Sequence, residues 1–496
     1  MAPLRSRLHH TDLPITITIT TNLSSSHLCP NNYNTRNFGS MLRLDAAAAN
    51  EVNSNDDDES SGSKVAQHQP IRNVVIAGGG VIGTSVAYYL VNDHFQKRVV
   101  EGDDLSPPIS VTLVDPTGKV GSCASGKAGG FLARDWRDGS PLQELQRTGF
   151  DLHQELADAF GGESKTIEPE HPTDYRRLTC AAVAVDETEE EEDNNVEGPQ
   201  KGRRVPNKPP SKKLIDLEWV DPDVVLWDEE ELGTPGVVPM GDEETIAQVH
   251  PRKLCETMWE SISKSGSNDS DGIKVELIQG KIVRALTETD TDIDSNDERF
   301  VTGVELEDGS VLPSDVLVIA CGPWTYEANK WFASIENDEE EEAAILPQIT
   351  AVKCHSILVP SSTGRPNTQA VFFDSNGVIG EDGDLEVYPR PDGDSYVNGF
   401  ANEEGVCLER PGEEAIEEDK IELLREVMDF VENCSNINND SSSEPFERTA
   451  PRDHTQQVCY WPETPSGLPI IGKIPEIHGA YVAGKCIIYC ILCIHV

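Results

Sequence analysis

The chain has 496 residues, with 40 Lys and Arg against 88 Asp and Glu, for a formal charge of −48. At ~100–200 residues per domain it holds two or three domains, and so acidic a surface repels phosphate, which excludes a nucleic-acid binder working through a basic patch. Mean hydropathy is −0.42 and no apolar run approaches the ~20 residues that span a bilayer, so no transmembrane segment is expected.

Residues 1–70 read as a disordered leader. Four arginines against one acid, Asp12, between Met1 and Leu44 also fit a transit peptide. The expected location is cytoplasmic, with a mitochondrion or plastid as the alternative through this leader. Acidic runs at 56–59, 186–197, 288–298 and 336–342 hold 24 of the 88 acids and read as solvated insertions. Twelve cysteines are too sparse for a disulfide scaffold. Cys486-x3-Cys490-x2-Cys493 has no second cluster or His pair at zinc spacing, so no metal site is expected.

Regular structure starts at Ile71. Residues 71–77 form an apolar strand ending in Gly78-Gly-Gly-Val-Ile-Gly83, residues 84–92 a helix, and residues 110–115 a second strand. Between helix and strand, 93–109 is an insertion. A helix follows over 140–160, with Ser140 as N-cap, Pro141 in the first turn and Gly161 past the end. Residues 194–213 are an inserted loop. Further helices are expected around 251–264 and 412–432. Strands are expected at 273–285, 300–307, 315–320, 350–359, 370–373, 385–400 and 467–483. The pattern is α/β with a second, strand-rich part.

Gly78-x-Gly80-x-x-Gly83 follows a strand and opens a helix, the context that a dinucleotide fingerprint requires. Gly78 permits the tight turn, Gly80 lets backbone approach a pyrophosphate, and Gly83 lets helix pack on strand. The helix N-terminus, with Val81 and Ile82, offers N–H groups to the phosphates. Asp115 ends the second strand, where an acid accepts hydrogen bonds from a ribose diol. It lies 32 residues after Gly83, against ~20 in the usual unit, and the 93–109 insertion accounts for the excess. A second small-residue loop, Gly121 to Ala133, follows the acid at once. It lets backbone amides reach another part of an extended ligand, which favours FAD over a nicotinamide.

These residues resemble the D-amino-acid oxidase (DAO) family of FAD-dependent oxidoreductases, which includes glycine oxidase and sarcosine oxidase. Five segments carry the resemblance in order: Val74 to Ala87, Ala124 to Gly130, Gln248-Val-His-Pro-Arg252, Asp315 to Trp324, and Ser466 to Gly472. Val387-Tyr-Pro-Arg-Pro-Asp-Gly393 is similar to the family's substrate-domain hairpin. The resemblance implies a discontinuous Rossmann-type FAD-binding domain and an inserted α+β substrate domain on a mostly antiparallel sheet. The FAD-binding parts are then 71–185, 245–330 and 448–496. The substrate domain takes its two parts from 186–244, which also holds the acidic and basic loop, and from 331–447.

By the same resemblance, Ser125, Gly126, Lys127, Ala128, Gly129 and Gly130 lie near the pyrophosphate and the isoalloxazine ring. Val283 gives adenine a backbone contact, and Cys321-Gly322 turns under the nucleotide. The implied reaction passes a hydride from a small amine- or amino-acid-like substrate to flavin N5. An amino acid needs a bidentate Arg for its carboxylate, and family members place it just before a Pro where this chain has Trp461. Arg390 and Arg452 are substitute clamps, and His355 is a candidate catalytic group. Cys459 aligns with the cysteine that carries covalent flavin in sarcosine oxidases. After Gly484 the family continues with a Gly-rich turn and a helix; Lys485 to Val496 is apolar instead and reads as a truncated end. The alternative is therefore a non-catalytic or inactive flavin-fold protein.

Overall fold

A computed structural model describes residues 72–96, 107–161, 171–184, 237–265, 272–289, 299–333, 345–360, 368–374, 385–402, 408–431, 455–475 and 477–484. The leader, the loop at 194–213, the acidic runs at 56–59, 186–197 and 336–342, Arg452 and the segment 485–496 lie outside the described residues.

Strand β1 (Arg72–Ala77) is buried on both faces from Val74 onward, as a central parallel strand must be. It lies between β2 (Ile109–Asp115) and Val316–Ile319, parallel to both. The full sheet runs, in space, Ile470–Lys473, Ala480–Gly484, Val316–Ile319, β1, β2, Ile273–Gln279. Only the first pair is antiparallel.

The period-two alternation of β1 sorts its side chains between two cores. Val74 and Ile76 pack with Val81 and Val91 of helix α1 (Val81–Phe95) and with Leu254 and Met258 of the helix Pro251–Ser265. Val75 and Ala77 pack on the other side with Val304, Leu306 and Trp331. That side carries the antiparallel strands Ile282–Thr289, Arg299–Leu306 and Val311–Pro313. The segment expected as one strand over 273–285 is therefore two strands in different sheets, separated at Gly280 and Lys281.

The second large sheet has seven strands: Thr455–Glu463, Thr350–Pro360, Asp394–Asn402, Leu385–Pro389, Gln369–Asp374, Thr179–Ala184 and Val237–Gly241. All neighbours are antiparallel except Gln369–Asp374 beside Thr179–Ala184. Two of these strands come from segments expected in the FAD-binding parts, Thr179–Ala184 and Thr455–Glu463. Backbone pairing, which motif positions do not reveal, carries both into the other sheet. Ile477–His478 pairs in parallel with Arg299–Leu306, and Phe131–Ala133, Ile246–Gln248 and Arg176–Arg177 form a small sheet. Among the described residues, no helix is long and apolar enough to cross a membrane.

Candidate active site

The loop after β1 is built by close approach. Gly78 has φ +104°, a left-handed conformation, and an added Cβ there would lie 2.4 Å from the Ala320 carbonyl oxygen. At Gly83 a Cβ would stand 2.0 Å from the Gly78 carbonyl oxygen, so α1 sits against its own loop only because that residue has no side chain. The first turn of α1 carries no acidic residue, which leaves its positive end open to an anion. Asp115 is buried at the tip of β2. Its Oδ2 accepts the Gly79 N–H at 2.8 Å, and its Oδ1 accepts the Thr117 N–H at 2.9 Å and the Thr117 hydroxyl. A carboxylate offers about four lone-pair sites, so Asp115 anchors the loop and retains capacity for a ribose hydroxyl.

A cavity runs from this loop to the seven-stranded sheet. Gly78, Gly80, Val81, Ile82 and Asp115 line one end, with Gly280, Lys281 and Ile282 beside them. Ser125, Ala128, Gly129 and Gly130 line its middle, together with Cys321, Gly322 and Trp324. The far end is formed by Cys354, Glu386, Tyr388, Tyr396, Asn398, Cys459 and Trp461. Aromatic rings stiffen that end: Phe131 stacks on Tyr388 at 5.2 Å between centroids, and Tyr388 on Tyr396 at 5.9 Å. The Trp461 Nε1–H is buried with no acceptor among the described residues, a cost of about 1–3 kcal/mol that a bound acceptor relieves.

The short helix α2 (Ala124–Lys127) separates this cavity from a second one. The Ser125 hydroxyl accepts the Val81 N–H at 3.0 Å and so caps α1. Gly126 and Lys127 instead line the second cavity, with His250, Arg252 and Arg390. There the Lys127 ammonium donates to Glu414 at 3.0 Å and to the Val458 carbonyl at 2.9 Å.

Arg390 is therefore not at the far end of the main cavity. The hairpin strand stops at Pro389, and the next residue turns away. Its guanidinium donates to the His250 Nε2 at 2.9 Å and to the Ala128 carbonyl at 3.4 Å, and lies over the Tyr396 ring. Burial, then the charge of Arg390, push the His250 pKa down to about 3, so that ring is a neutral acceptor.

His355 also lies outside the cavity lining. It neighbours Cys354 on one strand, and alternation sends the two side chains to opposite faces. Its Nε2 accepts the Glu417 N–H at 3.0 Å, and burial above all lowers its pKa. It holds the start of the helix Glu418–Val431 rather than facing the cavity. The Val283 side chain is exposed, and its neighbours Lys281 and Ile282 line the cavity.

Cys459 faces Cys354 across the antiparallel ladder, and both line the cavity. Burial pushes the Cys459 thiol up to about 12, with the Lys127 charge opposing. A thiol so far above neutral pH is almost wholly protonated and a poor nucleophile. FAD is accordingly expected to leave noncovalently: heat precipitation of the purified protein releases the yellow colour to the supernatant. Colour retained in the pellet, and lost from it in Cys459→Ser, would contradict this.

Sequence reasoning missed Glu386, Tyr388, Tyr396, Asn398 and Cys354. The signal was present in the hairpin's alternation, which places Glu386 and Tyr388 on one face and pairs them with Asn398 and Tyr396.

The fold and this cavity together define a flavin-dependent oxidoreductase, and comparison with known proteins agrees. The family model for FAD-dependent oxidoreductases of the DAO type matches residues 73–486; the chain belongs to that family. It is similar to oxidoreductase C1F5.03c of Schizosaccharomyces pombe, 25% identical over 414 residues, which cover 81% of this chain and 86% of that one. Among solved structures it shares the fold of glycine oxidase from Geobacillus kaustophilus, with TM-score 0.53 and 17% identity, over 86% of this chain and 91% of that one. It also shares the fold of iminodiacetate oxidase from Chelativorans sp., with TM-score 0.51 and 14% identity, over 85% and 92% of the two chains.

The residues present fit FAD. A glycine cradle that a Cβ would fill, an α1 N-terminus free of acid, and the unpartnered Trp461 N–H all line one continuous cavity. Gly78 to Gly83 and Asp115 would hold the nucleotide, and Ala128 to Gly130 the ring.

Proposed function

We propose that the enzyme oxidises the C–N bond of a small amine- or amino-acid-like substrate held at the far end of the cavity. FAD, when bound, supplies the two-electron acceptor at its N5. The substrate's C–H bond breaks and its hydrogen leaves with both electrons. The nitrogen gives up a proton, and the resulting C=N product is hydrolysed in water to a carbonyl compound and an amine or ammonia. The chain's own residues position and enclose. Tyr388, Tyr396 and Trp461 give a rigid apolar wall, and Asn398 and Glu386 supply polar atoms. The observation that supports this reading best is the placement of that polar pair among aromatic rings, in one cavity with the glycine loop.

The test is anaerobic mixing of the holoprotein with a panel of small primary and secondary amines and amino acids, following the visible flavin band. Bleaching by at least one such compound, with a carbonyl product in stoichiometric amount, is expected. Bleaching by 2-hydroxy acids alone would refute the reading.

A further inference from the structure

The second cavity lies behind α2, between that helix, the strand Thr455–Glu463 and the segment before the helix Glu418–Val431. Its lining has three cations, Lys127, Arg252 and Arg390, against one acid, Glu414. The whole chain has the opposite balance, 88 acids to 40 Lys and Arg.

The one acid is already engaged. Its Oε2 accepts the Lys127 ammonium at 3.0 Å, and its Oε1 accepts the Gly412 N–H at 3.0 Å. Lys127 and Glu414 neutralise each other, which leaves the two arginines. Arg390 is buried. A guanidinium has five N–H groups, and the described residues give this one two acceptors, the His250 ring and the Ala128 carbonyl. Neither acceptor is an anion, so they hold the fork without cancelling its charge. Asp392, Asp394 and Asp174 act on Arg390 through space, but among the described residues no carboxylate forms an ion pair with it. An arginine can only donate, so the His250 Nε2 is the acceptor and its Nδ1 carries the ring hydrogen. That Nδ1 is buried with no acceptor among the described residues. Arg252 is exposed and makes neither ion pair nor hydrogen bond among the described residues. Its Nε lies against α2, 3.2 Å from where a Cβ on Gly126 would stand.

Two guanidinium forks with donors to spare, around one cavity, match the oxygens of a carboxylate or a phosphate. We propose that the second cavity binds a small oxyanion, through a carboxylate or phosphate group held by Arg252 and Arg390. The site is separate from the flavin cavity and goes beyond the oxidation proposed above. The chain's charge of −48 does not forbid it. At an ionic strength of about 0.15 M, exposed charges more than ~8 Å away are largely screened, and the cavity's own side chains decide.

The test uses the FAD-bound protein, so that the glycine loop is already occupied. Inorganic phosphate and malonate are titrated separately by calorimetry in about 0.15 M sodium chloride. One saturable site per chain is expected for at least one of them. Tighter binding of phosphate assigns a phosphate-bearing ligand, and tighter binding of malonate assigns a carboxylate. Arg252 is exposed, so Arg252→Gln is expected to fold, and it should weaken the tighter anion at least tenfold, about 1.4 kcal/mol. Arg252→Lys keeps the charge without the fork and should fall between wild type and Arg252→Gln. Arg390→Gln should weaken binding at least as much as Arg252→Gln. Should the buried Arg390→Gln variant not fold, Arg252→Gln still decides. No saturable binding of either anion by wild type would overturn the proposal. So would binding undiminished in Arg252→Gln, which would place the anion elsewhere on the protein.

Discussion

Gly83→Ala is expected to strip the protein of FAD and lower its stability, whereas Gly80→Ala should strip FAD and leave stability nearly intact. The two glycines share one loop but face different things. A Cβ at Gly83 would stand 2.0 Å from a backbone carbonyl oxygen, which cannot rotate away. The helix must then shift from its strand, at a cost of about 1–3 kcal/mol or more. A Cβ at Gly80 would meet the Ser125 hydroxyl at 3.1 Å, a movable side chain, and would otherwise project toward the cavity that Gly80 lines. Flavin content per chain and the thermal midpoint of the apoprotein, measured side by side, separate these effects. At least a tenfold loss of FAD affinity is expected in both variants, about 1.4 kcal/mol. A thermal midpoint well below wild type is expected in Gly83→Ala alone. Full FAD retention by Gly80→Ala would mean that the loop does not approach the cofactor.

The second large effect is expected at Lys127. This residue ties α2 to Val458 of the seven-stranded sheet and to Glu414, in the segment before the helix Glu418–Val431. The Glu414 side chain is 1% exposed, so removal of the ammonium leaves a carboxylate without its cation. Breaking a buried pair in this way costs about 3–5 kcal/mol. Lys127 itself is 18% exposed, which places Lys127→Ala near the lower figure. Urea titration should show this loss, and Lys127→Ala with Glu414→Gln should recover part of it.

The pH dependence has a definite sign. Burial alone would raise the Glu414 pKa, but the Gly412 N–H and Lys127 outweigh it and hold the carboxyl below its ordinary 4.5. A depressed pKa stabilises the fold above the unfolded value and loses that contribution as pH falls through the folded one. The gap between wild type and Lys127→Ala should therefore be full at neutral pH and narrow below pH 4.5. A gap that widens in acid would contradict the pairing.

What the sequence shows and what it hides divide along the range of the interactions. The strand, glycine loop and helix over 72–95 are legible because each needs only its near neighbours: an apolar strand, three spaced glycines and a helix start. Asp115 is legible for the same reason, as the end of the next strand. The far end of the cavity is legible only in part. Tyr388 faces Tyr396 within one hairpin, whose alternation is a local signal, whereas Cys354 faces Cys459 through pairing of strands distant in the chain, which has no local signature. Arg390 misses the far end although it follows a strand that reaches it: Glu386 and Tyr388 line the cavity, and the chain turns after Pro389. His355 misses the cavity because its neighbour Cys354 takes that face of the strand.

Occupancy of this cavity by FAD is read most directly from the flavin content of the purified chain. A flavin visible spectrum and one FAD per chain are expected, with the flavin lost in the Gly80→Ala variant. A folded, colourless protein that takes up no FAD on titration would contradict it.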